Sequence, residues 1–169
     1  MPTPLTHATV GFAIAAWAQR PPPTLRVCLV AAACAALPDI DYVGWPVAHR
    51  SITHSIAFAL TGALVATAMF FRSAEWREHR ARIAVVLGLA LLSHGLLDGL
   101  SGYSSGIEYF APFSQHRFRL SWTPLGDPEG RLTRQFLQEA LVVLLPAVVF
   151  AWLAFRVRGR QRRANTAAP

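Results

Sequence analysis

Residues 49–71 read HRSITHSIAFALTGALVATAMFF. Two histidines, an arginine and hydroxyl side chains sit directly before a run without a charged residue. The run is long enough to approach the ~20 residues that cross a bilayer as a helix. The stretch decides the fold because four other runs like it occur, at 5–18, 25–37, 83–100 and 136–155. Those at 52–71, 83–100 and 136–155 are near spanning length. The first two are short: ~14 helical residues cover ~21 Å of a ~30 Å hydrocarbon core.

Composition agrees with the runs. Of 169 residues, 53% are hydrophobic and 15% charged, well below the ~25% charged residues of a soluble domain. The expected fold is therefore all-α, an integral membrane bundle of about five helices, the first two partly immersed. A soluble bundle with a very apolar core is the alternative. Residues 1–156 read as one membrane-embedded domain with an outer loop at 101–135, and 157–169 as a basic, disordered cytoplasmic tail.

Punctuation supports the boundaries. RPPPT (20–24) separates the first two runs, since proline opens helices but breaks their interiors. LPDIDYVGWP (37–46) closes the second, the charged RSAEWREHRAR (72–82) separates the third and fourth, and SGYSSG (101–106) closes the fourth. Pro146 inside the fifth run predicts a kink, and Ser51 is a candidate amino-terminal cap for the third helix. Cys28 and Cys34 lie six apart within one run, on different helical faces, and read as packing residues rather than a disulfide framework.

Charge orients the chain. All basic residues are arginine, and the formal net charge is +7. They lie between and after apolar runs, which favours membrane topology over nucleic-acid binding, and no nucleic acid is expected. If every run crosses, one side collects Arg20, Arg26, Arg72, Arg77, Arg80, Arg82 and the arginines of the tail. The other side holds Arg50, Arg117, Arg119, Arg131 and Arg134. Positive loops stay cytoplasmic, so the amino terminus is expected outside and the carboxy terminus inside.

On that map the remaining ionisable residues converge. His7, Asp39, Asp41, His49, His54, His94, Asp98, Glu108 and His116 fall at the outer ends of the runs or in the outer loops, whereas His79 falls in the inner charged turn. Each has an ordinary reading: an i, i+4 hydrogen-bonded pair for His94 and Asp98, a turn or cap for Asp39. Ionisable residues within membrane helices are costly and usually functional. Imidazoles and carboxylates gathered at one level are ligands for zinc, manganese or iron. HGLLD (94–98) puts His94 and Asp98 on one helical face. PDID (38–41) supplies two carboxylates, one to bind metal and one to orient a histidine. No cysteine joins the set, which excludes a structural thiolate site. Trp45, Tyr103, Tyr109 and Trp122 read as an interfacial aromatic belt.

THATVG (6–11), LPDIDY (37–42), HRSITHS (49–55), SHGLLDGL (93–100) and APFSQHRF (111–118) resemble the bacterial membrane-bound metal-dependent hydrolase family, also described as LexA-binding, inner-membrane-associated hydrolases. The resemblance runs from Thr6 to about Trp122. More distantly, the pattern is similar to zinc-dependent phospholipase C and P1 nuclease. It implies His7, Asp39, His54, His94 and Asp98 as metal ligands, with Asp39 or Asp41 supplying the aspartate. It implies a divalent cation, zinc by preference. The phospholipase pattern continues with a further histidine and an HxxxE pair, whereas here only Glu108 and His116 follow Asp98, so one or two ions are expected rather than three.

The expected activity is hydrolysis of an ester or phosphoester in a lipid-like or small-molecule substrate drawn from membrane lipid. Asp39 or Asp41 would take a proton from water, and Arg50 or Arg117 would steady developing charge, since guanidinium forks match phosphate oxygens. The competing expectation is a non-catalytic membrane protein with a structural metal or polar cluster and a cytosolic protein partner on its basic face. A transporter ranks last, because the third and fifth runs carry almost no polar residues through the membrane depth.

Overall fold

A computed structural model describes residues 2–19, 23–43, 48–102, 105–125 and 131–167. Trp45 and Tyr103 of the expected aromatic belt, and Arg20, lie outside the described residues. The chain is all-helical, with no extended strand among those residues. Helix α1 spans Pro4–Ala18, with Thr3 as its cap and proline in its first turn. Helix α2 spans Leu25–Ala36 and runs into a 3₁₀ segment, Leu37–Val43.

A short 3₁₀ turn, Ile52–His54, precedes α3 (Ile56–Phe70). Here the expectation is corrected: α3 has 15 residues rather than the near-spanning length read from 52–71. Ser51 is not its cap. Ser55 Oγ accepts from Phe58 N at 3.1 Å, and the Ser51 hydroxyl donates to Glu108 Oε2 at 2.6 Å. The cause is polar: Thr53 and His54 are drawn into buried hydrogen bonds, so the backbone tightens there and the α-helix begins later.

Helix α4 spans Arg80–Gly99, preceded by a 3₁₀ segment, Ala74–His79. Helices α5 (Leu132–Glu139) and α6 (Leu145–Ala167) flank a π-helical turn, Ala140–Leu144. The irregularity expected near Pro146 takes this form. Proline has no N–H to return to the preceding turn, and one wide turn ahead of it absorbs the mismatch. Helix α6 continues to Ala167, so the basic stretch expected to be disordered is helical through that residue; arginine is a good helix former.

Among the described residues, two helical stretches are long and apolar enough to cross a membrane, Ala74–Gly99 and Leu132–Arg158. About five helices were expected, three of them near spanning length and the first two only partly immersed. The shortfall lies in α3, which like α1 and α2 has 15 residues or fewer, or ~22 Å at most.

Small residues set the packing. Ala15, Ala16, Cys28, Ala31, Ala35, Leu87 and Ala90 form the buried centre where α1, α2 and α4 meet, and both cysteines are free. A Cβ at Gly11 would stand 2.5 Å from Ala35 Cβ and 2.6 Å from Ala31 O, so only glycine allows this approach of α1 to α2. Large apolar side chains point outward instead, among them Leu60, Leu64 and Met69 on α3 and Leu145, Val148 and Phe150 on α6. An outward apolar face with a small-residue core is the inverse of a soluble bundle and suits a lipid surround.

Several arginines gather at one end. Arg26 donates to Phe70 O at 2.7 Å, Arg80 to Phe71 O at 2.9 Å, and Arg158 to Gln19 O. The opposite end carries the start of α1, the end of α2, the start of α3 and the end of α4. There the segment 105–125 lies against the helices: Ile56 N donates to Tyr109 O at 2.9 Å, Glu108 N to Arg50 O at 3.2 Å, and the Tyr109 hydroxyl to Gly95 O at 3.1 Å.

Candidate metal centre

Four chain segments deliver the ionisable residues to one buried point. His7 comes from the second turn of α1, Asp39 from the 3₁₀ segment after α2, His54 from the turn before α3, and His94 and Asp98 from the last turns of α4. All five side chains are essentially shut off from solvent. The five residues named as ligands from the sequence are therefore neighbours.

The two nearest nitrogens carry the argument. His94 Nδ1 lies 2.7 Å from Ala35 O and donates its proton there. His54 Nδ1 faces Thr53 Oγ1 at 3.0 Å and Asp41 Oδ2 at 3.4 Å. In neutral rings with Nδ1 protonated, both Nε2 atoms hold lone pairs, and they stand 3.0 Å apart. Two acceptors so placed repel unless a proton or a cation lies between them.

The remaining distances continue the pattern. His94 Nε2 is 3.5 Å from Asp39 Oδ1, and His54 Nε2 is 3.4 Å from Asp98 Oδ2. His7 Nε2 is 3.4 Å from Asp98 Oδ1, and its ring stacks on that of His94 with centroids 3.8 Å apart. Two ligands ~2.05 Å from a zinc ion at the tetrahedral angle are ~3.3 Å apart. Asp39, His54, His94 and Asp98 thus present donor atoms within 4.8 Å of one another, and three of the separations, 3.0, 3.4 and 3.5 Å, match that spacing.

The buried carboxylates need such a partner. Both oxygens of Asp39, both of Asp98 and both ring nitrogens of His7 make no aligned hydrogen bond among the described residues, although several lie within ion-pair distance. Arg50 Nε, 3.2 Å from Asp98 Oδ2, compensates one negative charge. Two carboxylates and one guanidinium leave a net negative charge where ions are costly to bury. Burial pushes the Asp39 carboxyl above its ordinary value, and nearby Asp98 adds to this, while His7 opposes without cancelling it. A divalent cation removes this imbalance, and the donor set fits one.

Asp41 behaves differently, although only one residue separates it from Asp39. In a 3₁₀ turn, residues two apart diverge by about 120°, so the two carboxylates serve opposite sides of His54. Asp41 accepts from His49 Nδ1 at 2.6 Å, Thr53 Oγ1 at 2.5 Å and Arg50 N at 3.3 Å. Burial alone would raise its carboxyl, but hydrogen bonds from His54, Thr53 and His49 outweigh this and hold it well below the usual carboxylate range. It backs His54 as carboxylates back metal-bound histidines.

Arg50 adopts φ +63°, a left-handed conformation costing about 1–2 kcal/mol for a non-glycine residue. It is buried, and its backbone carbonyl is held by Glu108 N. Arg117 is not brought to the cluster. Its Nη2 pairs with Glu108 Oε1 at 2.9 Å and its Nη1 meets Ser105 Oγ at 3.1 Å. His116 packs its ring on Phe118 in the same loop.

The sequence reading missed Glu139. It is buried where α5 enters the π-helical turn and accepts from Thr3 N at 2.5 Å, Thr3 Oγ1 at 2.6 Å and the Thr6 hydroxyl. It ties the fifth helix to the turn that carries His7. The signal was available: a lone acid opening the apolar run after LQ, which membrane helices rarely tolerate. Replacing Glu139 by alanine leaves three donors without this acceptor and is expected to cost about 1–3 kcal/mol, read as a lower melting temperature in detergent. Glu139→Gln, which keeps an acceptor oxygen, should lose less. Equal losses would show that the negative charge of the acceptor, which glutamine also lacks, matters there rather than side-chain volume or a neutral acceptor oxygen.

The fold and this centre define a helical membrane protein closed around a buried cluster of histidines and aspartates. The chain belongs to the YdjM inner membrane protein family, whose model matches residues 1–162, and it is thus a bacterial inner-membrane protein. A similar protein is the inner membrane protein YbcI of Escherichia coli (strain K12), 27% identical over 161 residues, covering 90% of this chain and 92% of that one. Neither description names an activity. No solved structure matches significantly.

Proposed function

We propose that the protein is a metal-dependent hydrolase of the inner membrane, cleaving an ester or phosphoester of a lipid-like substrate. The observation that carries this reading is the pair of His54 and His94 Nε2 atoms 3.0 Å apart, flanked by the Asp39 and Asp98 carboxylates, which make no aligned hydrogen bond among the described residues. Asp39, His54, His94 and Asp98 would hold one ion, zinc by donor type, with His7 stacked on His94 and its Nε2 3.4 Å from Asp98 Oδ1. Such an ion supplies a water of near-neutral pKa and polarises the scissile group.

The chain's own residues divide the remaining work. Asp39 Oδ2, without a hydrogen-bond donor, is the acceptor for a proton released at the centre. Asp41 is fully engaged and keeps His54 in the tautomer whose Nε2 faces inward. Arg50 offers a buried guanidinium to a phosphate or an oxyanion. Arg117 stands in the loop beside Glu108 and acts at most on the outer part of a substrate. The arginine-rich end opposite the centre supports a periplasmic centre with the carboxy-terminal end in the cytoplasm.

Elemental analysis of protein purified without chelator tests the reading. One or two transition-metal ions per chain are expected, with loss in His94→Ala. A wild type free of stoichiometric metal, or a His94→Ala that retains it in full, would overturn the site. Asp41→Asn should keep the fold and lower metal affinity by about 10–100-fold, the usual effect of removing a carboxylate behind a ligand histidine. Unchanged affinity in a chelator competition would remove Asp41 from this role.

The Arg50–Asp98 pair favours a second reading, a structural polar cluster with a cytosolic partner at the basic end. That reading predicts that variants of the centre lose abundance together with metal. The hydrolase reading predicts folded variants without activity on ester and phosphoester lipids.

A further inference from the structure

A cavity of about 610 Å³ opens between α2 and α3, within the roughly 300–1,000 Å³ of small-molecule sites. Its walls are hydrocarbon, with Leu29 and Leu37 on one side and Phe58, Val65 and Phe70 on the other. The hydroxyl among them, on Thr61, is engaged with the carbonyls of Ala57 and Phe58. A ligand with polar groups along its length would lose its hydrogen bonds to water and recover none. Leu29, Leu37, Val65 and Phe70 are about half exposed, so the groove opens sideways from the bundle. In an inner-membrane protein that side meets lipid.

One end of the groove adjoins the polar centre. Leu37 stands two residues before Asp39. Cys34 in the wall precedes Ala35, whose carbonyl fixes His94. Phe58 N is capped by Ser55, the neighbour of His54. At the far end the Phe70 carbonyl is held by Arg26. Between Phe58 and Phe70 the wall is ~18 Å long at ~1.5 Å per residue, an elongated slot leading away from the ligands.

We infer that this groove holds an acyl chain of the lipid substrate, oriented with its ester or phosphoester at Asp39, His54, His94 and Asp98. The head end of the inference rests on the hydrolase reading; the chain end rests on the groove itself. A polar lipid head at the centre and a hydrocarbon-only slot running from it match the two halves of one amphiphile. The Leu37, Ile40 and Tyr42 side chains, all exposed at the junction, lie where the two halves would meet.

The test is photo-cross-linking of the purified full chain in detergent to a palmitoyl phosphatidylglycerol with a mid-chain diazirine, with labelled peptides mapped by mass spectrometry. Ala33→Phe fills the groove from an exposed wall position, and Val149→Phe makes the same kind of change on the outward face of α6. Metal content is measured on every sample. The expected result is label concentrated in 29–37 and 58–70, lowered about tenfold by Ala33→Phe, as filling a packed space does, and unaffected by Val149→Phe. Metal stays constant in Ala33→Phe and Val149→Phe, whereas His94→Ala loses metal while keeping the label.

Label spread evenly over the outward helices and indifferent to Ala33→Phe overturns the groove while the metal result stands. A metal-free wild type with a labelled groove removes the hydrolytic reading, and with it the assignment of the chain to a substrate.

Discussion

Asp98→Asn is expected to empty the metal centre and to destabilise the fold together. Asp98 lies at the junction of three interactions: His7 at 3.4 Å, His54 at 3.4 Å and Arg50 at 3.2 Å. Asparagine keeps the shape but removes the charge, leaving the Arg50 guanidinium buried without its counterion. Breaking one side of a buried ion pair costs about 3–5 kcal/mol. Removing a direct ligand should lower metal affinity by more than the ~10–100-fold typical of a supporting partner. Chelator competition reads the first effect and thermal unfolding in detergent the second. If Asp98→Asn retains the metal of the wild type, the ligand set is wrong. If it loses metal but melts unchanged, Arg50 is compensated elsewhere.

The second large effect is expected at a residue with no side chain at all. In Gly11→Ala the new methyl group would meet Ala35 Cβ at 2.5 Å and the Ala31 carbonyl at 2.6 Å. Neither neighbour can rotate away, so α1 and α2 must separate. Overpacking of this kind costs about 1–3 kcal/mol. The consequence reaches the centre, because the Ala35 carbonyl anchors His94 Nδ1 at 2.7 Å and α1 carries His7. A fall in melting temperature accompanied by about tenfold weaker metal binding is expected, in the range of a lost supporting contact. Gly88→Ala is the control, since its methyl would find Ala63 Cβ at an ordinary 3.7 Å. Equal behaviour of the two variants would show that helix separation does not set the geometry of the centre.

These two residues illustrate different degrees of legibility. Asp98 was visible because it shares HGLLD with His94 at the end of an apolar run, where an acid is costly and needs a reason. His7, Asp39 and His54 were visible for the same reason, each at the end of a run that had to return to one level. Gly11 was only one small residue among many, and nothing local marked it as the closest approach in the bundle.

The roles within PDID were open in the sequence and distinct in the fold. Spacing of two along an extended chain puts both side chains on one face, and nothing in that spacing gives the two carboxylates different partners. The 3₁₀ turn of Leu37–Val43 and the placement of Thr53 and His49 made Asp41 the acceptor of three donors and left Asp39 oxygens unshared. Ser51 was the expected cap of the third helix, yet Glu108 takes its hydroxyl and Ser55 caps α3 instead. Arg117 shared the outer loop with candidate site residues, yet Glu108 holds it in place.

What the sequence determined by itself was the class of fold and the gathering of these histidines and aspartates at one end of the helices. Apolar runs, proline and glycine boundaries and the expense of buried charge are local or compositional signals, and they survive without knowledge of neighbours. What only the tertiary structure decided was which groups meet: three donors on Asp41 and no aligned donor on Asp39 among the described residues, Arg50 beside Asp98 and Arg117 against Glu108, and the lengths of the helices. It also revealed Glu139 as a tie and the slot between α2 and α3. Those depend on distances between residues remote in the chain, where a shift of an ångström turns a coordinating oxygen into an ordinary hydrogen-bond acceptor.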